Sequence, residues 1–255
     1  MPVLAWGPQG HEVVAHIAAR ELSPRARAEV GALLGGEAEA VMVSLSNWAD
    51  EIRDGRPATT RWHFVNIPLG AAGFARRRDC AGGDCVVARV EADMRILGDR
   101  KRSRAARAEA LRFLIHFAGD IHQPLHAIDD GDRGGNDIKV RLRPGRTPVS
   151  LHQVWDTRVL GALPGSDAGV LAAGIAAGFP ARTKASWRSG TAADWANESF
   201  RLAQREIYAG LPDHRSGGRP ILLPRDYLNR EAAPVRAQLA RAGVRLAWLL
   251  NMVLK

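Results

Sequence analysis

Residues 111–137 read LRFLIHFAGDIHQPLHAIDDGDRGGND. This stretch holds three of the chain's eight histidines and five aspartates, yet it opens with the apolar spacing of a core-packing helix. His116 and Asp120 are four apart, so a helix stacks them on one face. The helix ends before Pro124, and a Gly/Asp-rich loop follows. His152 and Asp156 repeat the spacing in SLHQVWDTRVL, a second predicted helix. A single pair of this kind is most often an ion pair or a capped core histidine. Two pairs, with His126 between them in sequence, describe a cluster. His11 after WGPQG, Asp50 in SNWAD and His63 in RWHFVNIP enlarge it. His63 stands in a β-like apolar run, Trp62 to Val65, where burying an imidazole is costly unless something binds it. Imidazoles and carboxylates without thiolates suit zinc with open coordination positions, which is the catalytic kind.

The rest of the chain is mostly helical in period. GHEVVAHIAARELSPRARAEVGALLG carries Val13, Val14, Ile17 and Ala18, then a helix start at Ser23-Pro24 and a stop at Gly35. Further helices are predicted in VEADMRILGDR, SRAARAEALRFLIHFAGDIHQ, GVLAAGIAAGF and TAADWANESFRLAQREIY. The last begins at Pro234, with Val235, Leu239, Leu246, Leu249 and Val253 on a core-facing stripe. DIKVRLR alternates as a short strand would. The expectation is an all-α fold: one mostly helical domain over residues 6–255, with long functional loops.

At 255 residues the chain is long enough for a sizeable core. No apolar run approaches the ~20 residues of a membrane span. The formal charge of +9, carried almost entirely by Arg, suits an anionic partner, although an Arg-rich coding bias explains the excess equally well. Cys80 and Cys85, separated by Ala-Gly-Gly-Asp, do not fit a zinc site of the cysteine type and are expected to form a disulfide, hence an oxidising compartment. Val3-Leu4-Ala5 resembles the end of a signal peptide cut before Trp6, which would make the protein secreted or periplasmic.

WGPQGH, NWADEIR, WHFVNIP, HFAGDIHQPLH, DRGGND and LHQVWDT occur in the order and approximate spacing of the trinuclear-zinc nucleases of the S1/P1 type. WANESFRLA and the helical ending extend the resemblance over nearly the whole chain from Trp6. It implies an endonuclease with three zinc ions that hydrolyses single-stranded DNA and RNA to 5′-phosphate products, with 3′-nucleotidase activity left open. The first zinc would be held by Asp50, His63, His116 and Asp120. The second would be held by His126, His152 and Asp156. The third would be held by His11, Asp120 as a bridge, and the free amine and carbonyl of Trp6. His16, His122 and His214 match no ligand position; only the resemblance chooses His126 over His122. Asp129 reads as a solvated turn residue, while Asp130 and Asp132 are candidates to orient ligand histidines.

The resemblance also implies that water is activated between the first and third metals, with Asp50 orienting it. The second metal would take the scissile phosphate. Arg53, one turn after Asp50, would present its cation to that phosphate, and Asn136 would contact the nucleotide. Phe64 resembles the aromatic on which a base stacks, although in a strand it would face away from His63. Asn66 replaces an Asp of several members; a neutral amide both donates and accepts, so base preference does not carry over. A monomer without stable membrane association is expected. The rival readings are a zinc phospholipase C, whose relatives tend to carry Glu where Asp156 stands, and a non-catalytic metal-binding helical protein, which would leave Arg53 and Asn136 unexplained.

Overall fold

The structure is a computed structural model, and it describes residues 6–165, 167–211 and 219–255. The candidate signal-peptide end, Met1 to Ala5, and His214 lie outside the described residues.

The helices are α1 (Pro8–Arg20), α2 (Pro24–Leu34), α3 (Ala38–Ser44), α4 (Trp48–Glu51), α5 (Arg76–Asp79), α6 (Val86–Gly98), α7 (Arg104–Asp120), α8 (Leu151–Gln153), α9 (Ala168–Ala177), α10 (Ala181–Trp187), α11 (Ala192–Leu202) and α12 (Tyr227–Val253). Ser23 caps α2 by accepting from the Ala26 amide, and Gly35 closes it in the left-handed conformation at φ 84°, as the sequence predicts. The predicted strand is real but shorter. It is β1 (Lys139–Arg141), paired antiparallel with β2 (Val149–Ser150) and parallel with β3 (Ile221–Leu222). Among the described residues the fold is mostly helical with this one small sheet.

Three local expectations change. Trp62 to Val65 is not a strand: Pro57–His63 forms a 3₁₀ helix, and only then does Phe64 extend, at φ −148° and ψ 171°. Helix α12 starts seven residues before Pro234, which sits inside it. Proline's fixed φ fits a helix, so the cost is one missing backbone donor and some crowding, outweighed by the buried stripe that follows. Third, α8 passes into a π-helical turn at Val154–Arg158, and α11 into another at Ala203–Tyr208. Such turns recur where a helix must re-aim side chains at a functional site.

The core lies where α7, buried along its C-terminal half, packs against α6, α12 and α1. Val235, Leu239, Leu246 and Leu249 are buried as predicted, and Val253 lies at the margin. Helix α12 presses so closely on α1 that a Cβ on Gly243 would sit 2.5 Å from Ile17 Cβ. Cys80 and Cys85 form a disulfide with a Cα separation of 5.4 Å, joining the loop ahead of α6. No helix among the described residues is long and apolar enough to cross a membrane.

Close packing at Gly243 is tested against an open glycine. Gly243→Ala is expected to lower stability by ~1–3 kcal/mol. Gly174→Ala in α9, where a Cβ meets nothing within 4 Å, should be neutral or stabilising. Thermal unfolding of the two variants checks the contrast; equal Tm values would refute it.

Candidate metal centre

The last two turns of α7 carry His116 and Asp120 into the interior, both fully buried. Their environment is built by carbonyl groups. His116 Nδ1 lies 2.8 Å from Ser46 O, His126 Nδ1 2.7 Å from His63 O, and His152 Nδ1 2.7 Å from Gly134 O. A carbonyl only accepts, so each of these rings donates from Nδ1 and turns a lone pair outward at Nε2. That is the tautomer a metal requires.

The outward atoms converge. His126 Nε2 and His152 Nε2 are 3.1 Å apart, and His152 Nε2 is 3.3 Å from Asp156 Oδ2. His63 Nδ1 is 3.2 Å from His116 Nε2 and 3.0 Å from Asp120 Oδ2. Asp50 lies 3.6 Å from His63 Nδ1 and 3.7 Å from His116 Nε2. Donors bound tetrahedrally at zinc distances lie roughly 3.3–3.6 Å from one another, the edge of the polyhedron. The observed separations, 3.0–3.7 Å, bracket such edges. Facing lone pairs on His126 and His152 cannot hydrogen-bond to each other, and a cation between them removes the repulsion. The donor set therefore fits zinc.

Three groupings of donor atoms can each hold a metal ion: His11 with His116 and Asp120, Asp50 with His63 and His116, and His126 with His152 and Asp156. His116 is common to the first two, and Asp120 reaches both, its Oδ1 3.6 Å from His11 Nε2 and its Oδ2 3.0 Å from His63 Nδ1. His11 stacks on His116 with ring centroids 3.8 Å apart. Trp6 is fully buried, and its indole donates to Gly119 O at 2.9 Å. Eight of the nine sequence-predicted ligand residues thus offer side-chain donors to the three groupings. Trp6 is brought to the end of the same helix.

The charges are set against one another. Burial lowers His11 far below the ordinary imidazole value, with His116 adding. Burial also opposes protonation of His116, but Asp120 and Asp50 together lift it to about 9. Asp120 stays ionised well below the usual range despite its burial, because His116 and His63 surround it. Burial lowers His126, and burial with His126 nearby takes His152 to about 3. Burial raises Asp156, with Gln123 opposing. The groups compete for positive charge in a dry site, which zinc would supply while displacing protons.

Histidine 122 is not part of this centre. Its Nδ1 donates to Ala118 O at 2.7 Å, and its Nε2 accepts from Arg245 Nη1 at 3.0 Å, with Arg245 held bidentately by Glu198. The ring points away from the metal cluster toward α11 and α12. His16 pairs with Glu39 at 2.8 Å. The expected role of the loop acids is corrected. Asp129 and Asp132 do not orient the ligand histidines His116, His126 and His152, whose Nδ1 atoms face backbone carbonyls. Nor is Asp129 a merely solvated turn: its Oδ1 accepts from the amides of Gly131, Asp132, Arg133 and Gly134. Asp132 is buried and accepts from Tyr208 OH at 2.8 Å and from the Gly135 amide. This frame holds Gly134 O at His152. Gly134 has φ 59°, and a Cβ there would lie 2.3 Å from Leu125 O.

Sequence reasoning missed Gln123. It is fully buried, donates to Asp156 Oδ1 at 2.5 Å and accepts from the Leu125 amide. It also missed how the end of α7 is closed: Ser199 Oγ donates to Ile121 O and Gln238 Nε2 to His122 O. Its place between His122 and His126, just before Pro124, was the local signal for Gln123.

A cavity of about 600 Å³ opens over the centre. His63, His126 and His152 reach it from below; Arg53, Phe64, Asn66 and Asn136 line it. His63 and Phe64 therefore face the same space, because the 3₁₀ helix ends between them. Arg53 Nη2 is 2.8 Å from Asp50 Oδ1, and Asn136 is held by Arg133 O at 2.8 Å.

The S1/P1 nuclease family model matches residues 6–255. The chain belongs to the S1/P1 nuclease family. It is 29% identical to nuclease P1 of Penicillium citrinum over 97% of both chains. It is 29% identical to endonuclease 2 of Arabidopsis thaliana over 97% of this chain and 90% of the relative. To nuclease S1 of Aspergillus oryzae it is 27% identical over 97% and 91%. As a member of this zinc-dependent family it is a phosphodiester hydrolase, an endonuclease for single strands. The phospholipase C reading finds no support among these relatives.

Asp120→Asn is expected to lower the zinc content of the purified protein more than His122→Ala, since only Asp120 faces the clustered donors. Elemental analysis of both variants reads this directly. A larger zinc loss from the His122 variant would show that the centre is drawn around the wrong residues.

Proposed function

We propose that the chain cleaves internal phosphodiester bonds of single-stranded DNA and RNA, leaving 5′-phosphates, with the nine residues from Trp6 to Asp156 as its ligands to three zinc ions. The supporting observation is the apposed imidazole lone pairs beneath a cavity lined by a cation, an aromatic ring and two amides. Asp50, His63, His116 and Asp120 would hold one zinc; His126, His152 and Asp156 a second; His11, Asp120 and Trp6 a third. Zinc at such sites lowers the pKa of water toward 7 and offsets charge on phosphoryl oxygens.

The chain's own groups supply the rest. Asp50 accepts a proton of the attacking water and orients it. Arg53 is positioned by Asp50 and turns its guanidinium to a phosphate oxygen. Asn136, fixed by the Gly134 loop, contacts the nucleotide. Phe64 accepts the face of one base and Asn66 meets its edge. Stacking on Phe64 requires a base freed from its neighbours, which is the physical source of single-strand preference. Secretion belongs to the same proposal, supported by the Cys80–Cys85 disulfide, and a monomeric state is proposed with it.

Chelation is expected to abolish cleavage, zinc to restore it, and single-stranded DNA to be cut faster than duplex. Phe64→Ala should weaken substrate binding by ~1–3 kcal/mol without lowering zinc content. Equal rates on single and double strands would sink the role given to Phe64.

The Trp6 amine can ligate only as a free terminus, because a peptide nitrogen has its lone pair in resonance. A protein beginning at Trp6 should therefore carry more zinc and turn over faster than one retaining residues 1–5. Identical zinc content and rates for the two would show that the amine is no ligand.

A further inference from the structure

The 3₁₀ helix Pro57–His63 repeats every three residues, so its sides differ cleanly. Pro57, Thr60 and His63 line the cavity over the metal centre. Arg56, Thr59 and Trp62 line a second cavity of about 450 Å³ on the other side, and Pro57 borders both. One thin wall separates the two.

The second cavity is walled opposite by α6, through Arg89, Asp93 and Ile96, and by α7, through Ala106, Ala110 and Phe113. Its aromatic surface is Trp62, half-buried and packed edge-on to Phe113 with ring centroids 5.4 Å apart. The guanidinium of Arg89 lies 3.8 Å from the Trp62 ring centroid. Arg89 and Asp93 share one hydrogen bond, 2.9 Å from Nη2 to Oδ1. Their other inner atoms, Arg89 Nε and Asp93 Oδ2, are buried with no hydrogen-bond partner. Orphaned polar atoms of this kind are costly in a native fold and call for a partner. Burial, with Glu109 adding and Arg89 opposing, pushes the Asp93 carboxyl up to about 7, so near neutral pH it can accept or donate. None of these residues belongs to the metal centre.

We propose that this second cavity is a distal subsite that takes an unstacked base of the same single strand, one or more nucleotides beyond the base held at Phe64. A base would lie beside the Arg89 guanidinium, against the part of the Trp62 ring that Arg89 leaves uncovered, with a donor beside an acceptor along one edge. That edge is the complement of Asp93 Oδ2 and Arg89 Nε. The strand would cross at Pro57, between Arg53 and Arg61 on one side and Arg56 on the other, its phosphates exchanging for the carboxylates Asp50, Asp84 and Glu109 that these guanidiniums pair with. A single strand can take this path, whereas a duplex holds its bases inward.

The inference rests on the single-strand nuclease reading, and substrate length separates the two. Steady-state cleavage is measured on a deoxyadenylate dinucleotide, too short to fill both cavities, and on a hexanucleotide. The zinc-loaded protein is compared with Trp62→Leu, which removes the stacking face, and Ala106→Phe, which fills the cavity from α7 and leaves residue 62 a tryptophan. In the wild-type protein KM should fall by on the order of tenfold from dinucleotide to hexanucleotide. Both variants should lose most of that gain while keeping dinucleotide kcat and KM. An unchanged length gain in both variants would overturn the subsite. So would equal impairment on both substrates, which marks the wall as merely structural. Failure of the wild-type protein to cut either substrate would overturn the nuclease reading, and the subsite with it.

Discussion

The structure depends on an electrostatic demand: buried imidazole lone pairs and carboxylates face one another at 3.0–3.7 Å. His116, His126 and His152 are each fixed at Nδ1 by a backbone carbonyl, so rotating or switching tautomer to relieve the contact breaks a hydrogen bond. Leaving such groups uncompensated in a dry interior costs several kcal/mol per charge. Cations bound among them remove that cost. The same arrangement suits a metal centre, and metal binding there would be linked to folding.

The carbonyls are held in place by a second set of buried polar contacts. Asp129 gathers four amides of the glycine-rich loop, and Asp132 ties that loop to Tyr208 on the π-helical turn after α11. Ser199 and Gln238 satisfy carbonyls that the end of α7 leaves open. Trp6 does the same at Gly119. The metal helix is thus locked from the N-terminal segment, from α11 and from α12, which explains why residues far apart in sequence are needed to place two side chains. Gly243 serves the same end by letting α12 close on α1.

How much was legible in the sequence follows from the range of each interaction. The His116–Asp120 and His152–Asp156 pairs were readable because helical spacing is local, and the helix boundaries at Ser23 and Gly35 were readable because caps are local. Spacing alone did not exclude His122. The group that claims its lone pair is Arg245, 123 residues away. The 3₁₀ helix at Pro57–His63 was hidden because its apolar residues mimic a strand, while its true neighbours are two cavities. Asp132 was assigned to a histidine by type and Asp129 to solvent, whereas the loop turns Asp129 to backbone amides and Asp132 to the Gly135 amide and Tyr208 OH. Gln123 carried no chemical signature of its own, although it fixes Asp156.

The account stands on cations occupying the three groupings. The most direct measurement is anomalous diffraction from crystals of the zinc-loaded protein, recorded on both sides of the zinc absorption edge. The account predicts three zinc peaks: one among Asp50, His63, His116 and Asp120, one among His126, His152 and Asp156, and one beside His11 and Asp120, each at about 2.0–2.2 Å from its donors. Fewer than three peaks in catalytically active crystals, or peaks away from these residues, would contradict it.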